Sequence, residues 1–287
     1  MTAFCDLHNH SVFSDGTDTP AQLLDRAEAL GLGAIAMTDH NTVAGLPSFL
    51  AAAEGRSVWA IPGTEFSTDW HGTELHILAL FLKPESFSQI TELLDDYTRR
   101  KDQSNADLVE NLNKAGYPIS YEKIKAGTPN GQVNRANIAA ELLAQGCVPS
   151  IQVAFDQLLK PKHGYFVPPA RPEPCEIIRL IKSMGAVSVL AHPFLNLDEN
   201  ELRTFLSEAV PAGLDAMEVC YSTYDEETTR KAGEIARAYG ILPSGGSDYH
   251  GENKPHISMG TGMGNLEIPL CWANALLERV EKYCKKS

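Results

Sequence analysis

The sequence predicts an α/β barrel interrupted by a helical insertion. Three observations carry that expectation. About seven short apolar runs are each followed by a helical pattern or a long excursion; the stretch from 84 to 163 shows helical signals almost alone; and histidines and carboxylates fall at or near the ends of the apolar runs. Near-continuous apolar strands joined by crossover helices mean a parallel sheet covered on its faces. An open doubly wound sheet is the alternative, but it gathers ligands at one switch point and not from nearly every strand. The chain has 287 residues, 43% of them hydrophobic, which suits one barrel with an insertion and leaves ample material for a core.

The chain opens on Phe4-Cys5-Asp6-Leu7-His8-Asn9-His10, with Ser14-Asp15-Gly16 close behind. In a strand, alternate residues share a face, so His8 and His10 point the same way. Thr19-Pro20 reads as an N-cap with proline at the first helical position. Leu23, Leu24, Ala27 and Leu30 then repeat at helical spacing, and Gly31 and Gly33 end the run. A strand over 34–37 leads into Thr38-Asp39-His40, and a helix is expected over 46–54. Another strand, 58–61, runs into Pro62-Gly63-Thr64-Glu65, and a fourth, 75–80, carries His76 inside it.

The alternation then stops. Ile90, Leu93, Leu94 and Tyr97, then Leu108, Val109 and Leu112, predict one long helix or a helical hairpin, with shorter helices around 134–144 and 151–159. The expected division is a barrel made from residues 1–83 and 166–287, with 84–165 as an inserted lid or substrate-selection subdomain. Beyond it, Pro174 opens a helix through Ile177, Ile178 and Ile181, and a strand over 186–191 ends in His192-Pro193. Asp198 with Glu201 forms a capping pair. A strand over 216–220, a helix over 225–239, and Ile241 to Gly246 leading into Ser247-Asp248-Tyr249-His250 follow, then a helix around 272–283.

The net charge of −13 repels long nucleic-acid backbones, so any nucleic-acid substrate is expected to be short and held at one end. No secretory leader is expected ahead of Phe4, and no apolar run approaches the roughly 20 residues of a membrane span. The six cysteines are scattered without a C-x-x-C pair, and the expected location is a reducing cytoplasm.

Position is what gives the polar residues meaning. His8, His10, His40, Glu65, His192, Asp248 and His250 fall at predicted strand ends, Asp15 in the first loop and His76 within a strand. In an α/β barrel those ends converge on one face. Singly, His76 reads as a core histidine, Glu65 and Asp248 as caps, and His192-Pro193 as a turn. Six of the nine histidines in one set make those separate explanations a poor account of the whole. Imidazoles and carboxylates without thiolates suit Zn²⁺, Mn²⁺ or Fe²⁺, and nine such side chains fit two or three ions sharing a bridging carboxylate. Three carboxylates against three divalent ions leave a net positive pocket, suited to phosphate. His71 and His256 read as surface residues.

The ordered motifs Asp6-x-His8-x-His10, Thr38-Asp39-His40, Gly63-x-Glu65, Ala191-His192-Pro193 and Ser247-Asp248-x-His250 resemble the signature set of the PHP (polymerase and histidinol phosphatase) superfamily. The resemblance covers both barrel portions. It implies a distorted (β/α)₇ barrel and a trinuclear metal centre. More closely, the chain resembles bacterial PHP phosphoesterases with a helical insertion, which dephosphorylate nucleoside 3′,5′-bisphosphates and trim short 5′-phosphorylated oligonucleotides. Carried over, His8, His10 and Asp248 hold one ion, and Glu65 bridges it to a second held by His76 and His192. Asp15, His40 and His250 hold the third. A hydroxide bridging two ions would attack phosphorus in line with the leaving alkoxide. In the insertion, Asn134-Arg135-Ala136-Asn137 stands where relatives have a G-R-P-H-like segment, so Arg135 and Asn137 are candidate substrate contacts. Lys162, ahead of Gly164-Tyr165-Phe166, fits another phosphate-contacting cation.

The leading expectation is therefore a metal-dependent phosphomonoesterase or short-oligonucleotide exonuclease. Histidinol phosphate phosphatase is the rival within the class. A metal-dependent amide hydrolase and a metal-binding regulatory module are the alternatives outside it. The oligomeric state is not legible.

Overall fold

The structure is a computed structural model and describes residues 3–128 and 133–284. It divides into two compact units, Met1–Thr91 with Arg171–Ser287, and Glu92–Ala170.

In the first unit, seven strands form one sheet in sequence order: β1 (Cys5–Asp6), β2 (Ala34–Met37), β3 (Trp59–Trp70), β4 (Thr73–Leu80), β5 (Val187–Leu190), β6 (Ala216–Tyr221) and β7 (Leu242–Gly246). The sheet curls until its ends meet. Leu7 donates its N–H to the Gly245 carbonyl at 3.2 Å, and Asp248 donates to the His8 carbonyl at 2.9 Å. The result is a nearly closed barrel with helices around it. No Cβ fits at Gly246, because it would lie 2.2 Å from His8 Cβ, so glycine is what lets β7 approach the residues that follow β1.

Helices α1 (Pro20–Ala29) and α2 (Leu46–Ala53) cover the first half of this sheet. Thr19 and Gln22 form a reciprocal capping box at the start of α1. At the start of the helix Glu199–Ala212, Asp198 and Glu201 do the same. The barrel strands are largely buried, and Leu7, Ala34, Ala36, Ile61, Leu78 and Val189 belong to one apolar cluster. Each fully buried aliphatic side chain contributes about 1.5–3 kcal/mol through removal from water.

The pairing departs from an all-parallel sheet. β1, β2 and β3 are parallel, as are β5, β6 and β7, but β4 is antiparallel to both of its neighbours. The reason is local: His71 (φ 53°) and Gly72 (φ 89°) make a two-residue turn with both central residues left-handed, the geometry that joins a twisted hairpin. β3 therefore runs eight residues beyond Pro62 and carries Glu65 in its interior, opposite Leu78, instead of ending there.

The second unit is helical among its described residues. The stretch read as one helix or a hairpin is a single helix, α3 (Phe87–Lys114), whose latter part belongs to this unit; α4 (Tyr121–Ala126), α5 (Arg135–Ala144) and α6 (Ile151–Ala154) follow. α6 continues as a wider, π-type turn over Phe155–Leu159 where a plain helix was expected. The unit has its own apolar core, including Leu108, Leu112, Ile138, Leu142 and Leu159. Among the described residues, no helix of either unit is long and apolar enough to cross a membrane.

Candidate metal centre

Glu65 is the hub. Its side chain is wholly buried, and five imidazoles surround it. Oε2 lies 3.2 Å from His8 Nε2, 3.2 Å from His10 Nε2 and 3.1 Å from His40 Nδ1. Oε1 lies 2.8 Å from His76 Nδ1 and 3.2 Å from His192 Nε2. Asp248 approaches from the other side, with Oδ1 3.2 Å from His10 Nε2 and 3.6 Å from His8 Nε2. Asp15 stands at the rim, 3.3 Å from His250 Nε2, 3.6 Å from His10 Nδ1 and 3.9 Å from His40 Nε2. All nine residues thus form one continuous network within the barrel unit.

The donor atoms fit cations better than one another. Glu65 Oε2 and His40 Nδ1 are buried 3.1 Å apart, yet neither has a well-directed hydrogen bond. His8 Nε2 and His10 Nε2 face each other at 3.1 Å, a meeting of two lone pairs unless a proton or a cation lies between them. Leaving buried polar atoms unpaired costs about 1–3 kcal/mol each, and a shared divalent ion removes that cost. Among the described residues, three groups have donor atoms close enough to hold an ion: His8, His10 and Glu65; His40, Glu65 and His76; and His10, Asp15, His40 and His250. The sequence reading paired His40 only with Asp15 and His250. Its ring stands between two groups, with Nδ1 toward Glu65 and Nε2 toward Asp15.

Backbone strain marks two of these residues. His192 (φ 30°) and Asp248 (φ 58°) both occupy the left-handed region. For a residue with a Cβ this costs on the order of 1 kcal/mol or more, and such strain gathers at functional sites. Supporting side chains then fix the free atoms of the candidate ligands. Tyr221 Oη and Lys254 Nζ donate to Asp248 Oδ2 at 2.8 and 2.7 Å, leaving Oδ1 toward the histidines. Glu74 engages His76 Nε2 at 3.2 Å, leaving Nδ1 toward Glu65. Asp6 braces the Ser247 turn by accepting from its N–H and hydroxyl at 2.9 and 2.6 Å.

The sequence reading missed Glu218, which lies in the interior of β6 and is fully buried against His8. A glutamate inside the apolar run Ala216-Met217-Glu218-Val219-Cys220 was the available signal. The substrate candidates lie on the other unit. Arg135 begins α5, donates to the Leu159 carbonyl at 3.4 Å and lies 4.8 Å over the Phe166 ring. Asn137 closes the capping box with Asn134, so helix capping accounts for its Oδ1. Lys162 is exposed on the short turn Pro161–His163.

Burial works against charge on the rings of His8, His10, His40, His76 and His250, and the carboxylates overturn it at some of them. His10, bonded to Asp248 and Glu65, is pushed up to about 9, and His76, beside Glu65 and Glu74, to about 10. His40 falls to about 3, because burial and neighbouring imidazoles outweigh Glu65 there. Glu65 and Asp248 are held well below the usual carboxylate range, despite burial, by the imidazoles gathered around them. The raised histidines stabilise the metal-free fold fully below their unfolded value of about 6.5, and that contribution is lost as pH rises through 9 to 10. The depressed carboxylates stabilise it above about pH 4 and lose their effect on acidification. His40, held neutral down to about pH 3, works the other way and costs stability as pH falls below about 6.5, so metal-free protein should show its highest melting temperature at about pH 6–7 and a fall by pH 10. Metal loading should remove the alkaline fall, since ions replace the protons. A metal-free melting temperature that stays level from pH 7 to 10 would contradict these charge states.

A family model described as PHP domain matches residues 6–160. The chain is 33% identical over 261 residues to the 5′-3′ exoribonuclease Rnm of Escherichia coli, covering 89% of this chain and 87% of the relative. It is 26% identical to a 3′,5′-nucleoside bisphosphate phosphatase of Chromobacterium violaceum, covering 93% of each. A solved structure from Bifidobacterium adolescentis, described as a candidate metal-dependent phosphoesterase, superposes with a TM-score of 0.81 at 28% identity and covers 96% of each chain.

Proposed function

From the premise that the chain belongs to the PHP domain family, and is a metal-dependent phosphoesterase, we propose that it hydrolyses phosphate esters of small nucleotides. Its preferred substrates are nucleoside 3′,5′-bisphosphates, which lose the 3′-phosphate, and short 5′-phosphorylated oligonucleotides. The observation that carries the proposal is Glu65 among five imidazoles, a carboxylate able to serve two ions through its two oxygens. Two relatives, the exoribonuclease and the bisphosphate phosphatase, support the substrate class.

On this reading His8, His10, Asp248 and Glu65 would hold one ion, Glu65 with His76 and His192 a second, and Asp15, His40 and His250 a third. Mn²⁺, Fe²⁺ or Zn²⁺ would supply Lewis-acid charge for the phosphate and an activated water near neutral pH. The protein's part is orientation: Tyr221, Lys254 and Glu74 keep the free atoms of Asp248 and His76 aimed inward. Arg135 and Lys162 are proposed to grip phosphate, with Asn137 as a further substrate contact. The acidic surface of a −13 chain disfavours long nucleic acids, and free thiols at Cys5, Cys147, Cys175, Cys220 and Cys271 are in keeping with a cytoplasmic setting.

A product screen of metal-loaded protein tests the proposal: released phosphate from nucleoside mono- and bisphosphates and histidinol phosphate, released nucleotide from short 5′-phosphorylated RNA, and released amine from an amide panel. Arg135→Ala sharpens it, because a guanidinium matches phosphate oxygens with a planar fork of donors. Losing that contact should cost on the order of 2–3 kcal/mol, roughly 30- to 150-fold in kcat/KM, on a 3′,5′-bisphosphate. A simple monophosphate ester should suffer much less, with metal content unchanged. Equal losses on both substrates would favour a general or histidinol phosphate phosphatase.

A further inference from the structure

Glu218 sits behind the donor cluster. It is fully buried, and both carboxylate oxygens are engaged. Oε1 lies 2.9 Å from His8 Nδ1, and Oε2 accepts the backbone N–H of His192 at 2.6 Å. We infer, on the metal reading proposed above, that Glu218 is a positioning residue that prepares His8 and His192 together for metal.

An ionised carboxylate only accepts hydrogen bonds, so the His8 nitrogen facing it must carry the proton. That fixes the His8 tautomer and leaves the Nε2 lone pair aimed at His10 Nε2, Glu65 Oε2 and Asp248 Oδ1, 3.1–3.6 Å away. The carboxylate charge beside the ring also makes Nε2 a better donor. At the other end, Oε2 holds the amide of a residue in the left-handed region, where the backbone does not rest by itself. One side chain on β6 thus couples a candidate ligand that follows β1 to another that follows β5. These two ligands come from separate strands, so their mutual placement depends on such ties.

Glutamine tests the idea because it keeps the shape and loses one acceptor. Its amide oxygen can serve His8 Nδ1–H or His192 N–H, while its NH₂ group must then face the other donor. Glu218→Gln should weaken the ion held by His8 and His10 by roughly 10- to 100-fold, measured by Zn²⁺ competition against a chromophoric chelator. The absorption spectrum of the Co²⁺-loaded variant should change as well, which a packing role would not require. In a His8→Ala background, where Glu218 has no ring to orient, the same substitution should weaken that ion by a smaller factor. Wild-type affinity and an unchanged Co²⁺ spectrum in Glu218→Gln would overturn the inference. Should that variant not fold, Glu218→Asp carries the test: a loss of affinity as large in the His8→Ala background as in the wild-type one would overturn it too. Wild-type protein that takes up no Zn²⁺ would instead remove the proposed metal centre itself, a distinct failure.

Discussion

Glu65→Gln is expected to lower kcat by about 10⁴-fold, equivalent to roughly 5–6 kcal/mol of transition-state stabilisation, and to reduce the bound metal per chain. Five ring nitrogens lie 2.8–3.2 Å from its two oxygens, so no other carboxylate of the cluster faces as many imidazoles. Glutamine fills the same volume but removes the negative charge and presents an NH₂ group to imidazoles that must accept a metal. Two of the proposed sites share this residue, which is why its loss should exceed that of a ligand to one ion. Steady-state phosphate release and metal analysis of the same preparation check the result. A variant that keeps its metal and loses less than tenfold in kcat would show that Glu65 does not bridge ions.

Asp15→Asn should leave the barrel folded, remove the third ion and lower kcat by roughly 10²- to 10³-fold, or about 3–4 kcal/mol. Asp15 differs from the other carboxylates in standing at the rim, with about 42% of its side chain exposed. Imidazoles hold its charge there against the effect of burial, with His250 nearest at 3.3 Å. Its other carboxylate contact is the Ser14 hydroxyl, which asparagine can also engage. The neutral isostere therefore separates metal loss from unfolding. A rate equal to wild type would take that ion out of the mechanism, even if the other two remained.

Much of this architecture was legible where a local rule is strong. Thr19-Pro20 and Asp198 with Glu201 declared their helices through capping chemistry, and each cap is present. The histidines were legible because strand ends in a barrel converge, whatever the details between them. The β3–β4 hairpin was not legible as such. Its strands are apolar enough to read as crossover strands, and the deciding feature is a left-handed pair at His71-Gly72 that composition leaves ambiguous. Glu65 reads in the sequence as a strand end, whereas it lies opposite Leu78 inside β3. Glu218 escaped because attention to strand ends passes over strand interiors, although a lone carboxylate in an apolar run needs a partner. Asn137 shows the converse: a motif position whose side chain also has a structural duty, the cap of α5.

The most direct test of the central claim, that this barrel unit holds a cluster of divalent ions around Glu65, is a crystal structure of metal-loaded protein with anomalous scattering at the metal edges. The account predicts three peaks, two of them in contact with the Glu65 carboxylate and the third bound by Asp15 and His250. A single peak, or ions that leave Glu65 uncoordinated, would contradict it.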